Sequence, residues 1–199
     1  MEIQLILATP EQQIGEMAKI CYATKTVDKG GKDITKTLVH GHGHLAALRF
    51  AYATVSISGI SVACQNQLVR SKHLDFMVQS KRYVNPDKGG FEFIYPHLLD
   101  GSDHELDLMK EHWDKSLELY THLTSNGMKK EDARAILPIN TSTKMNVTGN
   151  LQAWNDMFKL RLNSHAQLEI RTLATNIYKL LAVEFPQVFT DEYFKKLSI

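Results

Sequence analysis

Apolar and polar residues alternate over Glu2–Ala8 ("EIQLILA"), the two-residue period of a strand with one covered face. Pro10 is pre-set for a first helical turn. It opens a helix running to about Tyr22, with Ile14, Met17, Ala18 and Cys21 along one side. "DKGGKD" (28–33) reads as a turn, and "ITKTLVHGHGH" (34–44) as a short helix that breaks on its glycines. Branched and aromatic residues give "LRFAYATVSIS" (48–58) the composition of a strand. "SVACQNQLVRSK" (61–72), after Ser58-Gly59, has that of a helix. "DKGG" (87–90) then sets off "FEFIYP" (91–96) as an extended segment.

The period changes to 3.6 in the second half. Ser102 with Glu105 makes a capping box, and Leu106, Met109, Trp113, Leu117 and Tyr120 form a stripe that ends at Asn126-Gly127. "KEDARAIL" (130–137) is a short helix stopped by Pro138, and "NLQAWNDMFKLRL" (150–162) is another. Ser164 with Gln167 caps the last long helix, whose stripe is Ile170, Leu173, Ile177 and Leu181. No repeat or linker interrupts the chain. Strands early and helices late predict one α+β domain over residues 1–199, an antiparallel sheet flanked by helices with a helical second half.

Composition narrows the function. A chain of 199 residues with 43% hydrophobic composition can bury one sizeable core. Its formal net charge of +1 makes any basic site local, and so argues against a general nucleic-acid binder. No apolar run has the length of a membrane span, and "MEIQLILATPEQQ" lacks the charged start of a signal peptide. Two cysteines, Cys21 and Cys64, make neither a disulfide framework nor a CxxC pair, so a reduced, cytoplasmic setting is expected.

The charges are unevenly placed. "RSK" (70–72) and "SKR" (80–82) flank the mostly apolar "HLDFMVQ", and Gln67 lies three residues before Arg70 on the same helical face. Guanidinium groups, hydroxyls and backbone N–H groups in one loop suit a phosphate or a planar uracil-like ring; a solvated cationic edge is the equal alternative. Arg161 follows Asn150 by eleven residues and shares a stripe with Trp154 and Met157. A buried cation there needs an internal carboxylate or a ligand, and Arg134 poses the same choice. His40, His42 and His44 alternate with two glycines, which favours a loop that brings backbone close to a ligand over a metal site. Cys64 and Cys21 read as buried, inert thiols, and no GxSxG, GxGxxG or P-loop occurs.

The segment from Gln67 to Tyr83, of form R-x-[basic]-x7-S-x-R-Y, resembles the RHR-x7-S signature of flavin-dependent thymidylate synthases. The later run "EDARAILPINTSTKMNVTGNLQAWNDMFKLRLNSHAQLEI", down to LR-x-x-SHAQ-x-E, is similar to that family's second half, and "GHGH" to its Gly-His loop. The likeness spans about residues 1–190. It implies a homotetramer with active sites at subunit junctions. It also implies FAD reduced by NADPH, a one-carbon unit taken from methylenetetrahydrofolate, and dUMP as acceptor. No enzyme thiol attacks the uracil in this family.

Carried over by position, the resemblance puts Gln67, Arg70, Gln79, Ser80, Lys81, Arg82, Arg134 and Arg161 around dUMP, with Arg161 favouring ionisation of the pyrimidine N3. Arg70, Ser71, Lys72, Val78, His44, Asn150, Gln152 and Asp156 would face the flavin, with His42 beside it. The chain departs from the pattern: "RSK" replaces RHR, Val78 stands where glutamate is common, Asp156 where asparagine is, and "LAALRF" lacks a Glu-His pair. The altered residues lie on the flavin side. They leave open a flavin- and folate-dependent hydroxymethylase, with dCMP as an alternative acceptor, and a non-catalytic nucleotide-binding homologue. A divergent, virus-encoded member would work in the host cytoplasm.

Overall fold

Two long strands, β2 (Tyr52–Ser61) and β4 (Ser142–Asn150), pair antiparallel through the middle of a four-stranded sheet. β1 (Glu2–Ala8) flanks β2 and β3 (Asp75–Val78) flanks β4, giving the order β1-β2-β4-β3 with every neighbour antiparallel. The structure is a computed structural model that describes residues 1–22, 34–84, 90–96 and 103–199. The turn expected at 28–33, most of 87–90 and the cap Ser102 lie outside those residues.

β2 buries Ala53, Val55 and Ile57 by alternation, as its composition predicts. Gly59 sits at φ +68°, and the register shifts between Ser58 and Ile60. This bulge turns Ile60 inward and leads straight into α2 (Val62–Leu68), capped by the Ser61 hydroxyl, which accepts from Cys64 N. The sequence places Leu48 to Phe50 in the strand. Instead Leu45–Phe50 forms a 3-10 helix, and the strand begins at Tyr52.

One face of the sheet is covered by α5 (Leu151–Arg161) and α6 (Leu168–Glu184), whose Trp154, Met157, Phe158, Ile170, Leu173 and Ile177 join the main core. Trp154 donates its indole N–H to the Ala53 carbonyl at 3.1 Å, so the largest core side chain is satisfied. α1 (Gln12–Ala18) adds Ile14 to the same core, and Lys19–Tyr22 continues it as 3-10 helix. α3 (Asp103–Ser125) lies over a smaller cluster of Phe91, Phe93 and Trp113, and Gly127 at φ +90° follows its end. α4 (Lys130–Ala133) and a 3-10 turn, Arg134–Ile136, lead to Pro138 as expected.

Three expectations need correction. The second half is not all helix, because β4, a central strand, occupies it. Its inward positions include Thr143 and Gly149 beside Met145 and Val147, which blurs the apolar alternation. Ser164 does not cap α6. Gln167 stands at that position without a side-chain cap, while the Ser164 carbonyl accepts from Arg171 Nη1 at 2.8 Å. A last helix, α7 (Asp191–Leu197), capped by Thr190, follows the one read as final.

Candidate functional site

α2 organises the basic residues. Its seven residues end at Leu68, and the loop that follows carries Arg70, Ser71 and Lys72 before β3 begins. His73 adopts φ +65°, a left-handed turn that an L side chain rarely takes and that reverses the chain into β3. The turn fits against β4 because residue 149 is glycine. A Cβ there would lie 2.5 Å from Leu74 Cδ2 and 3.3 Å from the His73 carbonyl. The loop at 70–74 therefore abuts the β4–α5 junction, where Asn150 caps α5 by accepting from Ala153 N at 2.9 Å.

Two groups of functional candidates result. The first lines a recess of about 400 Å³ between α2, the end of β3 and the Arg134–Ile136 turn. Val78, Gln79, Ser80, Lys81 and Arg134 line it together with Gln65. None of its lining residues is acidic, and Lys81 and Arg134 are its basic ones. At its side Arg82 donates from Nε (3.2 Å) and Nη2 (2.9 Å) to one carboxylate oxygen of Glu131, and Arg134 Nε donates to the Glu131 carbonyl at 3.1 Å. One residue of α4 thus orients both arginines.

The second group gathers at the C-terminal ends of α2 and α5. Arg161 Nη2 donates to the Gln67 carbonyl at 2.7 Å, so a backbone acceptor takes one terminal nitrogen and no carboxylate pairs with Arg161 among the described residues. Its Nε is buried with no partner. Burial first, and then the nearby Arg70 guanidinium, holds Arg161 below the usual arginine value. Arg70 and Lys72 are exposed, and neither they nor Arg161 has an ion pair among the described residues. Cations brought together without an acid between them favour an added anion. Gln67 hydrogen-bonds to Gln167 through its side chain.

The remaining flavin-side candidates divide. Ser71 is buried and its hydroxyl has no partner among the described residues. Gln152 donates to Asp156 at 2.9 Å while its own Oε1 is buried and unpartnered. Asn150 has committed its carboxamide oxygen to the helix cap. His42 and His44 stand exposed on the separate loop after Thr37–Gly41, their rings 5.8 Å apart. His40 instead contacts the Val188 carbonyl and the edge of Tyr193. Among the described residues no three His, Cys, Asp or Glu side chains group as a metal site. The orphaned Ser71 hydroxyl, between the exposed Arg70 and Lys72, and the separate Gln152 oxygen suit a ligand with hydrogen-bonding groups and phosphates, as FAD is.

Cys64 is fully buried, and burial, with the Glu169 carboxylate adding to it, pushes its thiol pKa far up. Glu169 itself was quoted in the SHAQ-x-E run but given no role. It is buried and accepts from Ser61 N (2.8 Å) and Ser61 Oγ (2.6 Å), tying α6 to the start of α2. Gly149 was also missed; a glycine just before a capping asparagine was the available signal. No helix among the described residues is long and apolar enough to cross a membrane.

Residues 4–187 match the family described as thymidylate synthase complementing protein. A flavin-dependent thymidylate synthase of Geobacter sulfurreducens is 32% identical over 200 residues, 96% of this chain and 86% of the relative. One of Mycolicibacterium gilvum is 34% identical over 164 residues, 75% of this chain and 65% of the relative. The enzyme of that name from Mycobacterium tuberculosis is 32% identical over the same shares. The chain thus spans just under two thirds of the mycobacterial relatives.

Proposed function

The chain belongs to the thymidylate synthase complementing protein family, and from that premise we propose that it methylates dUMP to dTMP. It is a flavin-dependent enzyme of dTMP biosynthesis. In this reading NADPH is the reductant and methylenetetrahydrofolate the one-carbon donor. FAD, when bound, supplies redox chemistry that no side chain here offers.

The observation that carries the reading is the pair of acid-free cationic groups on either side of α2. In the recess, Ser80, Lys81 and Arg134 offer a hydroxyl and two cations to a phosphate dianion. At the helix ends, Arg161 is anchored by one terminal nitrogen and faces no carboxylate. It stabilises negative charge on a pyrimidine ring without losing a proton. Ser71, Arg70 and Lys72, beside Asn150, are the residues that would hold the flavin. Cys64 is unsuited to attack the uracil because it is buried and its thiolate disfavoured.

Geometry also bears on assembly. Gln65 lines the recess, while Gln67 belongs to the Arg161 group; two residues along a helix are about 200° apart. The Gln67 side chain thus leaves α2 on a different side from the recess, and in this reading a second copy supplies one of the two groups to a nucleotide. This supports sites at subunit junctions, in the homotetramer that the resemblance implies.

Conversion tests the reading. The full chain with FAD, NADPH, methylenetetrahydrofolate and dUMP is expected to return dTMP. A preparation that binds FAD and dUMP and leaves the nucleotide unchanged would contradict it.

A further inference from the structure

Lys81 belongs to the recess by its position and not by its charge. The residue lines the recess, yet its ammonium is turned onto the Ser142 carbonyl at 2.7 Å and over the Phe91 ring, 4.4 Å from the centroid. Neither Ser142 nor Phe91 lines the recess. Both partners are neutral, and no carboxylate holds Lys81 among the described residues.

We propose that Lys81 is a retractable anion ligand: when a nucleotide phosphate enters the recess, the ammonium leaves Ser142 and Phe91 and pairs with it beside Ser80 and Arg134. The inference rests on reading the recess as the phosphate subsite of dUMP. A phosphate dianion is a far stronger partner for an ammonium than a carbonyl and a ring face. The flexible four-carbon stem permits the swing, which gives up the Ser142 hydrogen bond and the Phe91 contact.

The resting arrangement makes the exchange proton-linked. Burial pushes the Lys81 pKa from its ordinary 10.5 down to about 8, so near that pH the parked amine is partly neutral. Among the described residues, the other titratable groups on the elements around it include Arg82, Arg134, Glu131 and Lys130 on the recess side, Glu92 next to Phe91, Lys144 beyond Ser142, and Tyr120 against the Phe91 ring. Glu131 is already engaged by Arg82, so among these the arriving phosphate is the strongest uncommitted anion for Lys81. Pairing with the dianion returns its pKa toward the ordinary range, and binding takes up a proton. The dUMP phosphate is fully ionised at that pH, its second pKa being near 6, and contributes no proton of its own.

The experiment is calorimetric titration of dUMP into the FAD-supplied full chain at pH 8, in buffers of different ionisation enthalpy. About half a proton per dUMP is expected from Lys81, read as the difference between the wild type and Lys81→Arg so that any proton released from the pyrimidine N3 cancels, with affinity falling up to tenfold per pH unit above about pH 8. Lys81→Arg keeps its charge at every pH tested. It should bind dUMP without proton uptake and with a flat pH profile. Lys81→Gln, a second variant, should bind more weakly and also without uptake. The same proton balance in the wild type and in Lys81→Arg would overturn the role of Lys81 and leave the phosphate reading intact. No dUMP binding by the wild type would overturn both.

Discussion

Arg161 makes the case at the scale of a residue. A guanidinium half-buried at a helix end holds one backbone carbonyl, buries an unpartnered Nε and stands near Arg70, an arrangement a purely structural arginine gains nothing from. Arg161→Ala should raise the Kd for dUMP by at least about tenfold, or about 1.4 kcal/mol, while FAD still binds. Equilibrium titration with both ligands checks this, and unchanged dUMP affinity would remove Arg161 from the site. Lys81 gives a stability signature as well. Its folded-state pKa lies below the unfolded one, so between about pH 8 and 10.5 the unfolded chain holds more protons. Stability relative to Lys81→Met should therefore rise across that window and be flat below it, as denaturant unfolding at a series of pH values would measure. The sequence made Lys81 visible through the cationic cluster at 80–82 and Arg161 through its place on an apolar helical stripe. It could not tell that Lys81 points away from its own recess or that Arg161 rests on a carbonyl, since both follow from which strand and helix end meet them.

At the scale of elements, the site depends on how closely the loop at 70–74 approaches β4. Gly149→Val places a branched side chain where Leu74 and His73 already stand, and should destabilise the fold by about 1–3 kcal/mol and weaken flavin binding together. Thermal unfolding and FAD titration of the same variant test that link; lost stability with intact flavin affinity would separate the loop from the cofactor. Glu169→Ala should cost about 1.5–3 kcal/mol by leaving the Ser61 N–H and hydroxyl without their charged acceptor. The helices of the second half were legible because long apolar stripes with caps or stops have few alternatives: α3 and α5 lie close to where the pattern puts them. β4 was not, because Thr143 and Gly149 take inward positions beside Met145 and Val147 and blur the apolar alternation. The Ser164 cap failed for a related reason: Ser-x-x-Gln fits a capping box, but the chain makes another turn before α6 begins, so Gln167 falls at the cap position.

For the whole molecule, the claim is that one chain carries two half-sites facing different ways around α2, completed for one nucleotide by a second copy. Arg134 belongs to one half and Arg161 to the other. The most direct measurement is dTMP formation, followed by mass spectrometry, in protein co-expressed from two variants, Arg134→Ala and Arg161→Ala. Each alone should be nearly inactive. The co-expressed mixture should regain a measurable part of wild-type turnover, because some junctions then pair an intact recess with an intact Arg161 group. A mixture as inactive as either variant, from subunits that demonstrably co-assemble, would contradict the account and return both arginines to a site within one chain.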